Sequence, residues 1–104
     1  MRKDRVEAYM EAACKGRKHT KQGKELERDL DLSGTDLRKL VSILRQDKIP
    51  IASSREGYFY AQNAAEVYAT IRHLNAMKRG LEAAIRGLEA SLEKFQESEE
   101  RTSP

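Results

Sequence analysis

The sequence predicts a mainly α-helical protein that carries a small β-hairpin and ends in a long coiled-coil helix. Three observations predict this fold class. Apolar residues recur at helical spacing in four separate segments. Between the third and fourth segments, residues 49–61 are rich in β-branched and aromatic side chains around a turn signal. The last third of the chain repeats the phrase Arg-Gly-Leu-Glu-Ala at residues 79–83 and again at 86–90.

The length of 104 residues allows one small domain and an appendage. We predict a folded domain over residues 1–63, an oligomerisation helix over 64–97 and a disordered polar tail over 98–104. The predicted domain has 14 basic and 10 acidic residues, whereas residues 64–104 have 6 and 7. Residues 15–24, KGRKHTKQGK, hold five basic side chains and no acid. Such a cluster suits a polyanion, and a solvated loop is the alternative.

The sequence contains no pattern that a catalytic or metal site requires. His19 and His73 lack metal-ligand spacing, and Cys14 is the single cysteine, so no internal disulfide forms. We find no glycine-rich phosphate loop, Ser/His/Asp set or convincing carboxylate pair. No apolar run approaches the roughly 18 residues of a membrane span, and the first residues lack a signal-peptide core. We expect a cytoplasmic, non-enzymatic protein without metal or cofactor, in which Cys14 is a core residue.

Two short helices are predicted first, over residues 3–14 and 22–31. Their apolar positions follow helical spacing: Val6, Met10 and Ala13 in the first, Leu26 and Leu30 in the second. Asp31 ends the second helix, because Asp tolerates a left-handed turn better than most residues.

A third helix is predicted from about Gly34 to Asp47. Ser33 is a good N-cap, and Asp36 stands three residues after it. One face of this helix is apolar: Leu37, Leu40, Val41 and Leu44. The opposite face is polar, with three basic residues and no acid: Thr35, Arg38, Lys39, Ser42, Arg45 and Gln46.

A hairpin and a long helix complete the pattern. Residues 49–53 and 58–61 are strand-like, and the turn between them places Arg55 near its tip. A lone hairpin is barely stable in water, so we expect it to lean on the helices. Asn63 and Glu66 then repeat the cap spacing at the start of the long helix.

The long helix has a strong heptad pattern, which we call the seam. Its a positions are Ile71, Lys78, Ile85 and Leu92, and its d positions are Val67, Leu74, Leu81, Leu88 and Phe95. Ile-rich a positions with Leu-rich d positions favour a parallel homodimer, and Lys78 penalises larger assemblies. Antiparallel pairing stays open, because the e and g positions are poor in opposing charges. Packing of the first part of the seam, Val67 to Leu74, on the chain's own domain is the alternative for those residues.

A second stripe on this helix consists of small residues on the c and f rows: Ala69, Ala76, Gly80, Ala83, Gly87 and Ala90. Glycine destabilises a helix interior by about 1 kcal/mol relative to alanine, so two glycines seven residues apart suggest a specific role. We hypothesise a close contact with another helix there, in a tetramer or with a packed partner.

The order helix, helix, tight turn, helix, hairpin is the winged helix-turn-helix plan. Residues 23–60, GKELERDLDLSGTDLRKLVSILRQDKIPIASSREGYFY, resemble the winged DNA-binding domain at the front of biotin-operon repressors, and the chain is also similar to small prophage winged-helix proteins. The matching positions are Leu26, Leu30, Ser33, Leu37, Leu44, Gly57 and Tyr58. The chain departs from the family at Glu27, where a small residue is usual, and at Asp31, where glycine is usual. No ligase-like or metabolite-binding domain follows, so effector sensing is not implied.

The polar face of the third helix suits the major groove of double-stranded DNA, which admits one α-helix. Arg38 is the expected base reader, since Arg bonds two acceptors of guanine. Thr35 and Ser42 are expected at a base edge or a phosphate, and Lys39 and Arg45 at phosphates. Arg55 on the wing is expected at a phosphate or the minor groove. Lys18, Lys21 and Lys24 flank the start of the second helix, where backbone N–H groups also favour an anion.

We therefore predict a sequence-specific DNA-binding protein, a bacterial or phage transcriptional regulator that acts as a dimer. The alternative is a non-enzymatic phage assembly or replication adaptor, in which the winged domain docks protein.

Overall fold

A computed structural model describes residues 1–102, and their side chains through residue 96. The elements follow in the order α1 (Arg2–Ala13), α2 (Gly23–Leu30), α3 (Gly34–Gln46), β1 (Ile51–Ser54), β2 (Gly57–Tyr60) and α4 (Ala64–Thr102). The predicted mainly helical class, with a two-stranded antiparallel hairpin and a long C-terminal helix, is confirmed. One element was not predicted, a 3-10 helix at Arg17–His19.

The chain divides into two compact units, Met1–Ile71 and Arg72–Pro104. The first unit therefore includes the first two turns of α4. Helix α4 is described up to Thr102, beyond the predicted end at Glu97. The side chains of the predicted tail and residues 103–104 lie outside the described part of the structure.

The core of the first unit is built from the apolar faces of three helices and the hairpin. The buried side chains are Val6, Met10, Cys14, Leu26, Leu30, Leu32, Leu37, Val41, Leu44, Ile51, Ala52, Phe59 and Ala61. Cys14 is fully buried, as predicted, and its burial raises the pKa of the thiol. Each helix has its apolar residues on one stripe, so packing three stripes against the hairpin removes them from water together.

Both predicted N-caps are confirmed. The Ser33 hydroxyl accepts a hydrogen bond from the Asp36 amide at 3.1 Å. The Asn63 side chain accepts one from the Glu66 amide at 2.9 Å, and the Glu66 carboxylate accepts one from the Gln62 amide at 2.9 Å. The same carboxylate also accepts the Arg17 amide at 3.0 Å, so it ties the 3-10 helix to the start of α4.

Helices α2 and α3 end in the same way. Asp31 and Lys48 adopt left-handed backbone conformations with φ of 55° and 70°. The residue after each then donates its amide to a carbonyl five residues back, with Leu32 bonded to Glu27 and Ile49 to Leu44, both at 2.9 Å. This is the Schellman arrangement, which reverses the chain and satisfies carbonyls at the helix end.

The hairpin does not rest on helices alone, because β2 is paired along both edges. On one edge it pairs with β1 in the register Ile51↔Tyr60 to Ser54↔Gly57. On the other edge, Tyr58 and Lys21 exchange backbone hydrogen bonds of 2.9 and 3.0 Å. Gly57 sits beside this contact with φ of 142°, and a Cβ there would lie 2.0 Å from the Lys21 carbonyl oxygen. Only glycine fits so close a backbone approach.

Candidate nucleic-acid interface

The outer face of α3 presents the predicted recognition residues to solvent. Burial of Leu37, Val41 and Leu44 fixes the rotation of this helix. The four residues on the opposite side are exposed: Thr35, Arg38, Lys39 and Ser42. The structure therefore brings these four together on one accessible surface, which we call the α3 face.

Arg38 and Ser42 each contact another polar side chain of α3. Arg38 Nη2 lies 3.4 Å from the Thr35 hydroxyl, to which it donates a long hydrogen bond. Gln46 donates its amide to the Ser42 hydroxyl at 3.1 Å. Both contacts are exposed. Water competes with such contacts, so a ligand that offers acceptors replaces them at little cost.

Acidic side chains near the α3 face are paired with α1. Asp36 accepts a hydrogen bond from Arg2 at 3.0 Å, and Asp47 accepts one from Lys3 at 3.0 Å. The Arg2 bond, with help from the Lys39 charge among others, lowers the pKa of the Asp36 carboxyl. These pairs leave two carboxylates neutralised by α1 at the border of the face, which reduces their repulsion of an anion.

Glu27 of α2 is one of the two departures from the family pattern, and its carboxylate lies near the start of α3. A Cβ on Gly34 would lie 3.4 Å from both Glu27 carboxylate oxygens and from Arg38 Nη1. The carboxylate thus occupies the N-terminal end of α3, where backbone N–H groups favour negative charge. A phosphate at this helix end would have to compete with Glu27.

Two of the basic residues predicted to contact DNA, Arg45 and Lys21, also make contacts within the folded unit. Arg45 Nε donates to the Ile51 carbonyl at 2.8 Å and Nη2 donates to the Ser53 hydroxyl at 3.2 Å. Burial lowers the pKa of the Arg45 guanidinium. Arg45 thereby joins α3 to β1. Its predicted DNA role depends on the N–H groups that remain.

Lys21 lies in a cluster with Tyr9 and Asp29. Its ammonium donates to the Tyr9 hydroxyl at 2.7 Å and to Asp29 at 3.3 Å, and it lies 5.1 Å from the centre of the Tyr9 ring. The Tyr9 hydroxyl in turn donates to Asp29 at 2.6 Å. The hydrogen bond with Tyr9 raises the pKa of Lys21, and the bond from Tyr9 lowers the pKa of Asp29.

The remaining predicted basic residues are exposed on three separate elements. Lys18 lies in the 3-10 helix, Lys24 is the second residue of α2, and Arg55 is in the two-residue turn of the hairpin. The pairing of Lys21 with Tyr58 fixes the connection that carries Lys18 against β2.

The sequence interpretation missed Ile43 on α3, whose side chain is 43% exposed. It lies on the same row of the helix as Asp36 and Asp47, at the border of the α3 face. The sequence could have revealed this exposure, because Ile43 lies outside the stripe formed by Leu37, Val41 and Leu44. An exposed isoleucine beside polar residues offers an apolar contact to a ligand.

The seam of α4 is accessible over most of its length. Leu81, Leu88 and Phe95 are 65%, 70% and 63% exposed. Ile71, Leu74, Ile85 and Leu92 are also exposed. Lys78 is the one charged residue of the seam, and its Nζ lies 3.9 Å from Glu82 Oε1 on the same helix. Glu82 Oε2 also lies 4.0 Å from Arg86 Nη1.

Val67 is the one seam residue that packs against the core of the first unit. The neighbouring Thr70, which the sequence interpretation missed, is 5% exposed. Its hydroxyl accepts a hydrogen bond from the Ser53 amide at 3.2 Å and donates to the Glu66 carbonyl at 3.2 Å. The first two turns of α4 therefore belong to the folded unit.

No family model, curated protein or solved structure matches this chain. Among the described residues, no three His, Cys, Asp or Glu side chains are grouped as metal ligands would be. Within the same residues, every helix is too short or too polar to cross a membrane.

Proposed function

We propose that this chain is a sequence-specific double-stranded DNA-binding protein of the winged helix-turn-helix type, a bacterial or phage transcriptional regulator that acts as a homodimer. The observation that carries the proposal is the α3 face. It exposes Arg38 and Lys39 beside two hydroxyl side chains, on a helix that follows another helix through a tight turn. A helix with this surface fits the major groove.

The surroundings of α3 support the proposal. Hairpin β1–β2 follows directly and carries the exposed Arg55 in its turn, as a wing would. Further positive charge, Lys18 and Lys24, lies before and at the start of α2. Phosphate contacts from such residues would set the position of the helix, while base contacts would set its sequence preference.

Separate residues of α3 have separate roles in this proposal. Arg38 bonds the acceptors of guanine, and Lys39 binds a phosphate. Ile43 contacts the methyl group of thymine, the one apolar group that the major groove displays. Arg45 acts mainly through the hairpin, because it holds β1 in place.

The deciding experiment measures duplex binding at two salt concentrations for the wild type and two alanine variants. Lys39→Ala should weaken binding to all sequences and reduce the slope of log affinity against log salt by about 1. Arg38→Ala should cost about 1–3 kcal/mol on the preferred sequence, found by selection from a random pool, and much less on random duplex.

Lys94→Ala is the matched control, because Lys94 is an exposed lysine of α4 far along the chain from α3. It should leave the salt slope unchanged. An equal effect of Lys39→Ala and Lys94→Ala would argue against groove binding by α3. A protein that binds no duplex even at low salt, and forms a ring-sized oligomer, would favour the assembly adaptor instead.

A further inference from the structure

The seam of α4 is matched to a second copy of itself. From Ile71 to Phe95 it is a narrow a/d stripe, and its large apolar side chains are exposed in the single chain. The flanking e position carries Glu82 and Glu89, so a wider apolar partner would bury their charges. Helices with the same heptad spacing interlock along a/d seams, and a second copy supplies that spacing. The occupant that fits this stripe is therefore another copy of this chain.

A parallel pair in register would place each seam residue opposite its own copy. Lys78 would then face Lys78 of the partner within one layer, and like charges would repel there. Parallel pairs are normally supported by charges between g and e positions. Here the g positions are Met77, Ala84 and Ser91, so Glu82 and Glu89 would find no basic partner across the interface.

An antiparallel pair would place each a position opposite a d position. The register that overlaps the whole seam sets Ile71 opposite Phe95 and Lys78 opposite Leu88. The aliphatic part of Lys78 then packs on leucine while its ammonium points outward. In this register the e edges of the two helices adjoin, so Glu89 of the second helix lies beside that ammonium. The layer of two lysines is removed and an ion pair is gained.

The same register brings the two Glu82 residues near each other at its centre. Lys78 and Arg86 already lie 3.9 and 4.0 Å from Glu82 within one chain, which offsets that repulsion. On the other edge Ala84 meets its own copy, and its small side chain leaves no charge to satisfy. The charges therefore favour the antiparallel register, although the Ile and Leu pattern alone favours parallel pairing.

We propose that two copies of this chain pair through α4 in antiparallel orientation, with Lys78 of one copy in the layer of Leu88 of the other. The inference rests on the dimer part of the proposed function and not on DNA binding. In this register the two Ile71 residues lie 24 positions apart along the paired helices, which corresponds to about 36 Å.

Disulfide formation between Leu74→Cys and Leu92→Cys tests the orientation. In the antiparallel register these two positions share a layer, whereas in a parallel pair each faces its own copy. Both variants are made in the full chain with Cys14→Ala, and again with Cys14 retained, since that thiol is buried. Covalent dimers are counted after air oxidation, and the bonded peptides are identified by mass.

We expect little covalent dimer from either variant alone and a mixed disulfide when the two are combined. Self-linked dimers of each single variant would overturn the orientation and leave the dimer intact. A dimer by sedimentation that forms no mixed disulfide would overturn the register. A monomer at every concentration would overturn pairing altogether, while the salt dependence of DNA binding would still decide the role of α3 separately.

Discussion

Two single residues carry backbone conformations that their side chains disfavour. Asp31 is the first residue after α2 and has φ of 55°, and Lys48 is the second residue after α3 and has φ of 70°. An L-residue with a Cβ loses roughly 1–2 kcal/mol in the left-handed region, and Asp loses less than most because it bonds locally. Lys48 is therefore the residue at which the backbone of this fold is under the greater strain.

Lys48→Gly should stabilise the protein by about 1 kcal/mol, because glycine occupies the left-handed position after a helix without a Cβ clash. The free energy of unfolding, measured by urea titration, checks this expectation. Gln46→Gly, at the last residue of α3, is the control and should destabilise by up to about 1 kcal/mol. A loss of stability in Lys48→Gly would show that the Lys48 side chain stabilises the fold by more than its left-handed backbone costs.

Because of the cluster of Tyr9, Lys21 and Asp29, the free energy of unfolding is expected to decrease at low pH. The hydrogen bond from Tyr9 lowers the pKa of Asp29 from its ordinary value of 3.8. The folded state therefore binds this proton less readily than the unfolded chain does. The contribution of Asp29 is present above about pH 3.8 and is lost as the pH falls through the lower folded-state pKa.

Asp29→Asn should flatten the fall in stability between about pH 5 and pH 2, since the bond no longer involves a titrating carboxylate. Urea midpoints across this pH range measure the effect. Tyr9→Phe, which removes the hydroxyl that donates to Asp29, should flatten the curve in the same direction. Identical curves for all three proteins would mean that Asp29 contributes nothing to acid sensitivity.

At the scale of elements, β2 is the centre of the small sheet. It pairs with β1 on one edge and with Lys21 and Gly16 on the other. The Gly16 amide donates to the Tyr60 carbonyl at 2.8 Å, and the Tyr60 amide donates to the Cys14 carbonyl at 2.7 Å. These bonds supply the support that a two-stranded hairpin lacks by itself.

Replacement by alanine should have opposite effects on stability at Gly57, which lies in a tight backbone contact, and at Gly80, which lies on an open helix surface. Gly57→Ala should destabilise by about 1–3 kcal/mol or more, because its φ of 142° is strained for alanine and its Cβ would strike the Lys21 carbonyl. Gly80→Ala should stabilise α4 by up to about 1 kcal/mol, since nothing lies within 4 Å of its Cβ.

Thermal unfolding of both glycine variants measures this contrast. A neutral Gly57→Ala would show that β2 and Lys21 separate at little cost. A destabilising Gly80→Ala would support a close contact of another helix with the small-residue stripe, as in the hypothesised tetramer.

At the scale of the whole molecule, α4 contributes to both units. Its first two turns complete the core through Val67 and Thr70, and its later turns expose the seam. The same heptad pattern thus has two uses along one helix. The pattern gives no boundary between them, because Val67 and Leu74 are both ordinary apolar d residues in the sequence.

The sequence by itself determined the four α-helices, the hairpin, two caps and the heptad pattern of the seam. These depend on residues within one or two turns of each other, such as Ser33 with Asp36 or Ile85 with Leu88. The interactions that form helices and caps act over that range, so periodicity reveals them.

Only the tertiary structure decided which polar side chains the fold itself uses. Arg45 and Lys21 look like solvent-facing cations in the sequence, but one binds β1 and the other binds Tyr9 and Asp29. Thr70 is likewise buried in the fold, where its hydroxyl accepts a hydrogen bond from the Ser53 amide. Such contacts join residues brought together by the packing of the core, and no local pattern encodes which donors and acceptors will meet.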